Sequence, residues 1–317
     1  MCVSLMAAYG CHISVLHPLT PDARFPIMFD LKVYLEGKRR LIDSALDREM
    51  PRETERPARL HKAMRYSVFS GGKRLRPALC MAAAEALDAP ESCALLPGLA
   101  VELLHSYTLI HDDLPCMDDD ALRRGKPTVH VAFGEAVAIL AGDALQALAF
   151  ELPTRSPAPC ANRVVRQVAE LARAAGSCGV IGGQVEDLAA TDGAPSPDTM
   201  DFIHLHKTAD LFRAAVRMGA VAADCDEERL ASLTRYAECL GLAFQMSDDI
   251  LDENQKDTQN RQEASCLQVM DRAAAENKTR DLVNEAIASL ECFEPERIAP
   301  LAGIARLTAD RILPENL

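Results

Sequence analysis

The chain has 317 residues, a net charge of −13, no tryptophan and only 4% aromatic residues. The acidic balance excludes a nucleic-acid-binding protein, which needs a basic face towards the phosphates. Alanine and leucine dominate an apolar fraction of 49%. Because sustained strand alternation is scarce, the sequence predicts a single all-α domain over residues 28–317.

Residues 1–27 precede the first helical pattern and carry no basic residue before Arg24. A signal peptide would carry early positive charge. We therefore expect a disordered extension or the product of a start codon assigned too early. Beyond it, Gly and Pro punctuation predicts helices at 29–49, 57–69, 76–87, 92–114, 132–151, 161–179, 198–204, 208–223, 227–252, 265–290 and 297–312.

The 11 cysteines are scattered without the spacing of a zinc site. Several lie in apolar helical runs, where a reduced cysteine behaves as a small hydrophobic side chain. This use of cysteine predicts a reducing compartment, for which the cytoplasm is the simplest choice. No run of 18 consecutive apolar residues is present, so we expect no membrane-spanning helix.

The first acidic motif runs from His111 to Asp120 and follows an apolar stretch that predicts a buried helix. Pro115 should end or kink this helix near Asp113. A kink there would bring Asp118 back towards Asp112. Carboxylates at a helix C-terminus are unfavourable without a cation, so the motif predicts a metal site. The alternative is a solvated acidic loop.

The second acidic motif lies in another helical stretch, at Asp248, Asp249 and Asp252. Asp248 and Asp252 are four residues apart and share one helix face. Two facing carboxylate clusters suit Mg²⁺, which takes a few carboxylates and then binds substrate phosphates. Together the two motifs predict a diphosphate ligand.

Basic residues follow three turns or helix starts. The segment Gly71–Pro77 combines glycines that free the backbone with Lys73 and Arg76, which suit an anion. Arg123 and Arg124 present planar forks matched to phosphate, or alternatively balance the nearby aspartates. Lys207 is a further phosphate-binding candidate at a predicted helix start, which Thr208 is placed to cap. Gln184 is predicted to be a core amide or a pocket wall.

The ordered motifs GGKRLRP, HSYTLIHDDLPCMDDDALRRGKPT, GDAL, GGQ-x-x-D, HKT and FQ-x-x-DDILD resemble the trans-prenyltransferase, or polyprenyl synthetase, family. The closest likeness is to bacterial farnesyl diphosphate synthases. The resemblance covers nearly all of residues 29–312. It implies an all-α barrel of antiparallel helices around a deep central cavity, usually as a homodimer.

The resemblance also implies the reaction. An allylic diphosphate ionises, isopentenyl diphosphate attacks the carbocation and a proton is lost. Mg²⁺, up to three ions per site and replaceable by Mn²⁺, would neutralise the departing diphosphate. The implied metal ligands are Asp112, Asp118 and Asp248, with Asp113, Asp249 and Asp252 as catalytic support. The implied isopentenyl diphosphate site is Lys73, Arg76, His105 and Arg124. The implied allylic diphosphate site is Arg123, Lys207, Thr208, Gln245 and Lys256.

The chain departs from the family pattern in the loop over residues 253–266. The loop is shorter than usual, and Lys256 alone stands in for the usual lysines. We expect a mobile loop that closes weakly over the allylic substrate.

Product length is predicted from Tyr107, which lies about 7.5 Å before Asp112 along an ideal helix. A bulky aromatic side chain here resembles the farnesyl-making pattern, so a C15 product is expected, with a C20 product as the alternative. Ordinary core packing of Tyr107 is the other possibility.

Two other functions are compatible with an Asp-rich α-helical protein. A class I terpene cyclase usually has a different second motif and an aromatic pocket, and it would not need GGKRLRP. A non-catalytic diphosphate-binding homologue is favoured only by the short loop over 253–266.

Overall fold

A computed structural model describes residues 29–156, 160–190, 195–253 and 264–313. The predicted extension over 1–27 lies outside this part of the chain. The same is true of Lys256 and most of the loop over 253–266. Their predicted properties therefore stay predictions.

The described chain is all-α apart from one small hairpin. The hairpin joins Leu122–Arg123 to Lys126–Pro127. Short 3₁₀ turns lie at Leu152–Arg155 and Cys266–Gln268, and a π-helical segment spans His204–Ala209. The helices are α1 (Leu31–Glu49), α2 (Ala58–Val68), α3 (Leu75–Ala86), α4 (Ser92–Asp112), α5 (Val129–Phe133), α6 (Glu135–Glu151), α7 (Ala161–Ala175), α8 (Val180–Ala190), α9 (Pro197–Ile203), α10 (Asp210–Ala222), α11 (Glu227–Glu253), α12 (Arg272–Ala288) and α13 (Pro295–Asp310).

The predicted helices are confirmed with three differences. The predicted helix at 132–151 is two helices, which are broken at Gly134 with its positive φ of 88°. Helix α12 begins at Arg272 rather than near 265, because Asp271 caps it by accepting a hydrogen bond from the backbone of Ala274. Helix α8 was not predicted at all.

Two glycines made α8 hard to predict, because glycine disfavours helix. The structure supplies the reason for one of them. A Cβ atom on Gly183 would lie 2.3 Å from the backbone nitrogen of Lys207. Only glycine allows α8 to approach the π-helical segment this closely. Contact with that segment therefore overrides the weak helix propensity.

Helices α3 and α10 lie at the centre of the molecule, and each contributes to two apolar clusters. One cluster also draws on α1, α2, α4 and α6, and the other on α11, α12 and α13. Nine of the 12 residues of α3 are buried, and most of these are small. Small side chains let neighbouring helices pack closely on both sides, so the alanine-rich composition is explained by this central position.

Among the described residues, two segments are long and apolar enough to cross a membrane by length and composition alone, and the prediction of no membrane-spanning helix stays a prediction. Ser92–Asp112 is 78% buried within the fold, as expected of a core helix. Glu135–Arg155 is only 44% buried. On it, Ile139 and Leu140 are 44% and 56% exposed. Helix α6 therefore leaves an apolar face uncovered.

Candidate active site

The first acidic motif folds back at the end of α4. As Pro115 predicts, the helix ends at Asp112 and is capped by Asp113. The backbone N–H of Asp118 then donates to the carbonyl of Asp112 at 2.9 Å. The pKa of Asp112 is raised to about 7, chiefly by burial and also by the charges of Asp118 and Asp113, while Lys207 and Arg123 oppose the shift. The first acidic motif therefore carries more negative charge than its basic neighbours neutralise.

Asp113 has a different role from Asp112. It is buried, and its Oδ1 accepts a hydrogen bond from Arg123 Nε at 2.6 Å. Arg123 also lies 3.4 Å from Asp120. Asp113 thus orients Arg123 beside the acidic motif, and its own carboxylate is engaged by that arginine. The prediction that the arginines balance the aspartates is confirmed for Arg123.

The hairpin separates the two neighbouring arginines. Arg124 and Gly125 occupy its turn with φ of 55° and 74°, as in the turns that favour tight hairpins. The Arg124 guanidinium donates to the carbonyl of Gly71. A Cβ atom on Gly72 would lie 3.0 Å from Arg124 Nη1. The glycine-rich loop at Gly71 and Gly72 therefore meets the hairpin at Arg124.

Arg76 and Arg124 carry positive charge beside the imidazole of His105. Burial, together with the charge of Arg124, lowers the pKa of Arg76 to about 10, while the charges of Glu102 and Asp248 oppose this shift. The Arg76 Nε atom is buried and has no hydrogen-bond partner among the described residues. Burial and the surrounding arginines hold the pKa of His105 well below its usual value. The two arginine charges close together favour an anion between them, and the neutral His105 can donate a hydrogen bond to it.

Arg74 is a residue whose role the sequence did not reveal. It is 5% exposed and adopts a left-handed backbone conformation with φ of 51°. Its guanidinium forms ion pairs at 2.7 Å with Asp43 and Glu102. It also donates to the carbonyl of Val68 at 2.6 Å. Arg74 thus fixes the loop between Lys73 and Arg76 to α1, α2 and α4. Only its position inside a basic motif could have signalled it.

In the second acidic motif, Asp248 and Asp249 are held differently. Asp248 is paired with Arg311, and burial raises its pKa while Arg311 and Lys73 lower it. Asp249 is buried and accepts hydrogen bonds from Gln245 Nε2 at 2.8 Å and from the Cys266 backbone at 2.7 Å. Asp249 therefore ties α11 to the segment that follows residue 263. Asp252 is exposed.

Lys207 and Thr208 lie inside the π-helical segment, so the predicted capping role of Thr208 is wrong. Ala209 is the N-cap residue of α10 instead. Lys207 Nζ lies 2.6 Å from the buried carboxylate of Asp187. Thr208 donates to Gln245 Oε1 at 2.6 Å. π-Helical turns are frequent at functional sites. In this one, the charge of Lys207 acts on Asp112, and Thr208 bonds Gln245 beside the second acidic motif.

The remaining predicted residues are placed as follows. Gln184 is buried, and neither of its amide atoms has a hydrogen-bond partner in the described part of the chain. Tyr107 is 6% exposed, and burial raises the pKa of its hydroxyl. Its ring packs edge-on against His111 with centroids 5.3 Å apart.

The donor atoms fit the divalent cation that the family implies. Asp112, Asp118 and Asp248 offer hard oxygen ligands. No group of three or more potential ligands is already assembled within the described ranges. Mg²⁺ binds through one or two carboxylates plus substrate phosphates and does not need an all-protein cage. The excess negative charge at Asp112 is the observation that favours such an ion.

An all-α fold with two acidic motifs and neighbouring basic residues suits a protein that binds diphosphates. A family model described as polyprenyl synthetase matches residues 57–269, and the chain belongs to this family. It is a short-chain trans-prenyl diphosphate synthase. The predicted family and fold are therefore confirmed.

The relatives refine this picture. The chain is 43% identical over 295 residues to the chloroplastic geranylgeranyl pyrophosphate synthase of Catharanthus roseus, covering 89% of this chain and 82% of that enzyme. It is 42% identical over 296 residues to the chloroplastic geranylgeranyl pyrophosphate synthase 7 of Arabidopsis thaliana, covering 89% and 84%. A solved FPP/GFPP synthase from Zymomonas mobilis shares 38% identity at a TM-score of 0.81, covering 88% of this chain and 98% of that one.

The predicted cytoplasmic location is contradicted, because these curated relatives are named as chloroplastic enzymes. The prediction rested on free cysteines. Unpaired cysteines argue against an oxidising compartment, and they do not distinguish one reducing compartment from another. The cysteines therefore could not identify the location.

Proposed function

We propose that the chain is an Mg²⁺-dependent geranylgeranyl diphosphate synthase, which extends allylic diphosphates with isopentenyl diphosphate to a C20 product. The observation that carries the proposal is the pairing of opposite charges across the site. Asp112 lies within the electrostatic influence of Lys207, and Asp248 within that of Lys73. A diphosphate would be bound through metal ions held by the two carboxylates and directly by the two lysines.

The residues divide into two substrate sites. Arg76, His105 and Arg124 lie together and would hold isopentenyl diphosphate, with Lys73 at the edge of this site. Arg123, fixed by Asp113, would contact the allylic diphosphate together with Lys207. Bound Mg²⁺ would supply charge neutralisation for the departing diphosphate. The hydrogen bond from Thr208 orients the Gln245 amide beside that site.

Product length is the finer part of the proposal. Tyr107 predicted C15, whereas the curated relatives above are named for C20 products, and C20 is the length that we propose. Tyr107 is buried and its ring is held against His111, so the ring would form one wall of the chain-extension path.

The test is chromatography of dephosphorylated products made from dimethylallyl and isopentenyl diphosphates. Wild type should give mainly C20, and Tyr107→Ala should give longer products. Ser106→Ala, whose hydroxyl bonds only the backbone of Glu102 in its own helix, is the matched control. A mainly C15 wild-type product contradicts the proposed length. An inactive, folded wild type contradicts the synthase itself.

We also propose that the enzyme is a homodimer joined through α5 and α6. The uncovered face of α6 continues into Val131 of α5, which is 53% exposed. An exposed apolar face of this kind is typical of an interface. Leu140→Asp should convert the protein to a monomer in analytical ultracentrifugation. Val165→Asp removes an equally exposed apolar side chain from α7 and should leave the dimer intact.

A further inference from the structure

The guanidinium of Arg311 occupies a predicted metal ligand. Arg311 follows the last turn of α13, and its Nη2 is paired with Asp248 Oδ1. Its Nη1 also lies 3.1 Å from Ser247 Oγ. The contact joins the end of the chain to the second acidic motif across 63 residues. No feature of the reaction described above requires it.

The position of Arg311 is fixed by its surroundings. The guanidinium lies over the ring of Phe244, 4.9 Å from the centroid. The next residue, Ile312, is fully buried against Met246 and Ile250 of α11. The packing of Arg311 on Phe244 and of Ile312 on α11 therefore holds the guanidinium beside the Asp248 carboxylate. Because the arginine side chain remains 21% exposed, the pair can still open without unfolding the helix.

The structure also contains space for Arg311 to move into. A cavity of 340 Å³ opens beside it, between α1, α11, α13 and the loop at Gly72 and Lys73. Lys32 and Arg39 line the same cavity. A cavity this size holds several water molecules. The guanidinium can therefore leave Asp248 and remain solvated.

We propose that Arg311 is a built-in competitor of the metal ion at Asp248, which neutralises this carboxylate until a divalent cation arrives and then turns into the cavity. The competition is electrostatic, because a cation held at the carboxylate repels a second one in the same place. This inference rests on the proposed metal role of Asp248. The competition would make a divalent cation bind the second acidic motif less tightly than the sequence of that motif suggests.

The test measures metal binding directly. Free Mn²⁺ is followed by electron paramagnetic resonance as it is titrated into the protein with inorganic diphosphate. Arg311→Gln and Arg311→Met, the second of which keeps the packing on Phe244, should both bind Mn²⁺ more tightly than wild type. The expected gain is about three- to tenfold, as for a partly exposed ion pair. It should shrink in high salt.

Arg306→Gln is the matched control, because it removes a positive charge from the same helix and leaves Asp248 paired with Arg311. Wild-type affinity in this control and tighter binding in both Arg311 variants support the competition. Unchanged or weaker binding in the Arg311 variants overturns it, as does an equal gain in Arg306→Gln. If wild type and variants all fail to bind Mn²⁺ with diphosphate, the proposed metal role of the carboxylates fails, and the competition fails with it.

Discussion

The two acidic motifs have similar sequences and different surroundings. In the first, Asp112 is half-buried near other carboxylates, and its pKa is raised to about 7 despite the opposing charges of Lys207 and Arg123. In the second, Asp248 is already paired with Arg311, and Asp249 is held by Gln245 and by the backbone of Cys266. The comparison teaches that aspartates in two similar motifs can serve different purposes. Asp112 is the proposed metal ligand, and Asp249 holds α11 to the segment that follows residue 263.

The largest expected effect separates catalytic from structural carboxylates. Asp112→Ala should lower turnover by about 10²–10³-fold, as expected when an electrostatic contact to the reacting group is lost. The helical circular dichroism signal should not change. Steady-state kinetics at saturating Mg²⁺ and both substrates is the measurement. An unfolded variant would show that Asp112 is structural, and full activity would remove it from the mechanism.

Asp249 should show the reverse behaviour. Asp249→Ala removes two hydrogen bonds to a buried carboxylate and should reduce the free energy of unfolding by about 3 kcal/mol. Thermal and urea denaturation without metal would measure this loss. Asp252→Ala, which changes an exposed carboxylate three residues later, is the control and should unfold like wild type. Equal stability of both variants would contradict the structural role of Asp249.

The basic residues provide a finer test of the two substrate sites. Arg76→Ala removes a buried charge-assisted contact worth about 1.5–3 kcal/mol, so the KM for isopentenyl diphosphate should rise by roughly 10- to 100-fold. Arg123→Ala should act mainly on the allylic KM. Both constants are obtained from initial rates with one substrate varied. Equal effects of both variants on both substrates would mean that the two-site assignment is wrong.

The smallest expected effect concerns the metal-free protein and its pH dependence. The pKa of Asp112 is raised from its usual 3.8 to about 7, so folding favours the protonated form. Asp112 therefore costs no stability below about pH 4, and the cost grows between about pH 4 and pH 7 and stays constant above that. Asp112→Asn should raise the melting temperature by a few degrees at pH 8 and leave it unchanged near pH 4. The same shift at both pH values would contradict the burial argument.

Much of the fold could be predicted because its signals are local. Apolar periodicity and Gly and Pro punctuation identified most helices, and Pro115 located the end of α4. Helix α8 was missed because its glycines serve a contact with a segment more than 20 residues away. The π-helical segment was missed for a similar reason, since no local pattern distinguishes it from an ordinary helix.

The sequence predicted which charged residues belong to the candidate site better than it predicted what each of them contacts. The acidic and basic motifs identified the charged side chains, whereas the spacing of residues could not identify their ion-pair partners. Arg311 lies far from any motif, and Arg74 and Glu102 meet only once three helices are packed. Product length depended on a single aromatic residue, and the named relatives favour the longer product instead.

The hairpin at Leu122–Pro127 has a consequence for how this segment can change in evolution. Successive strand residues point to opposite faces, and the turn at Arg124 and Gly125 needs two left-handed residues in a row. One added or deleted residue would change the directions of the neighbouring arginines, moving Arg123 away from Asp113 and Arg124 away from the glycine-rich loop. Substitutions in the hairpin can be gradual, but a change in its length would rearrange both of these contacts in a single step.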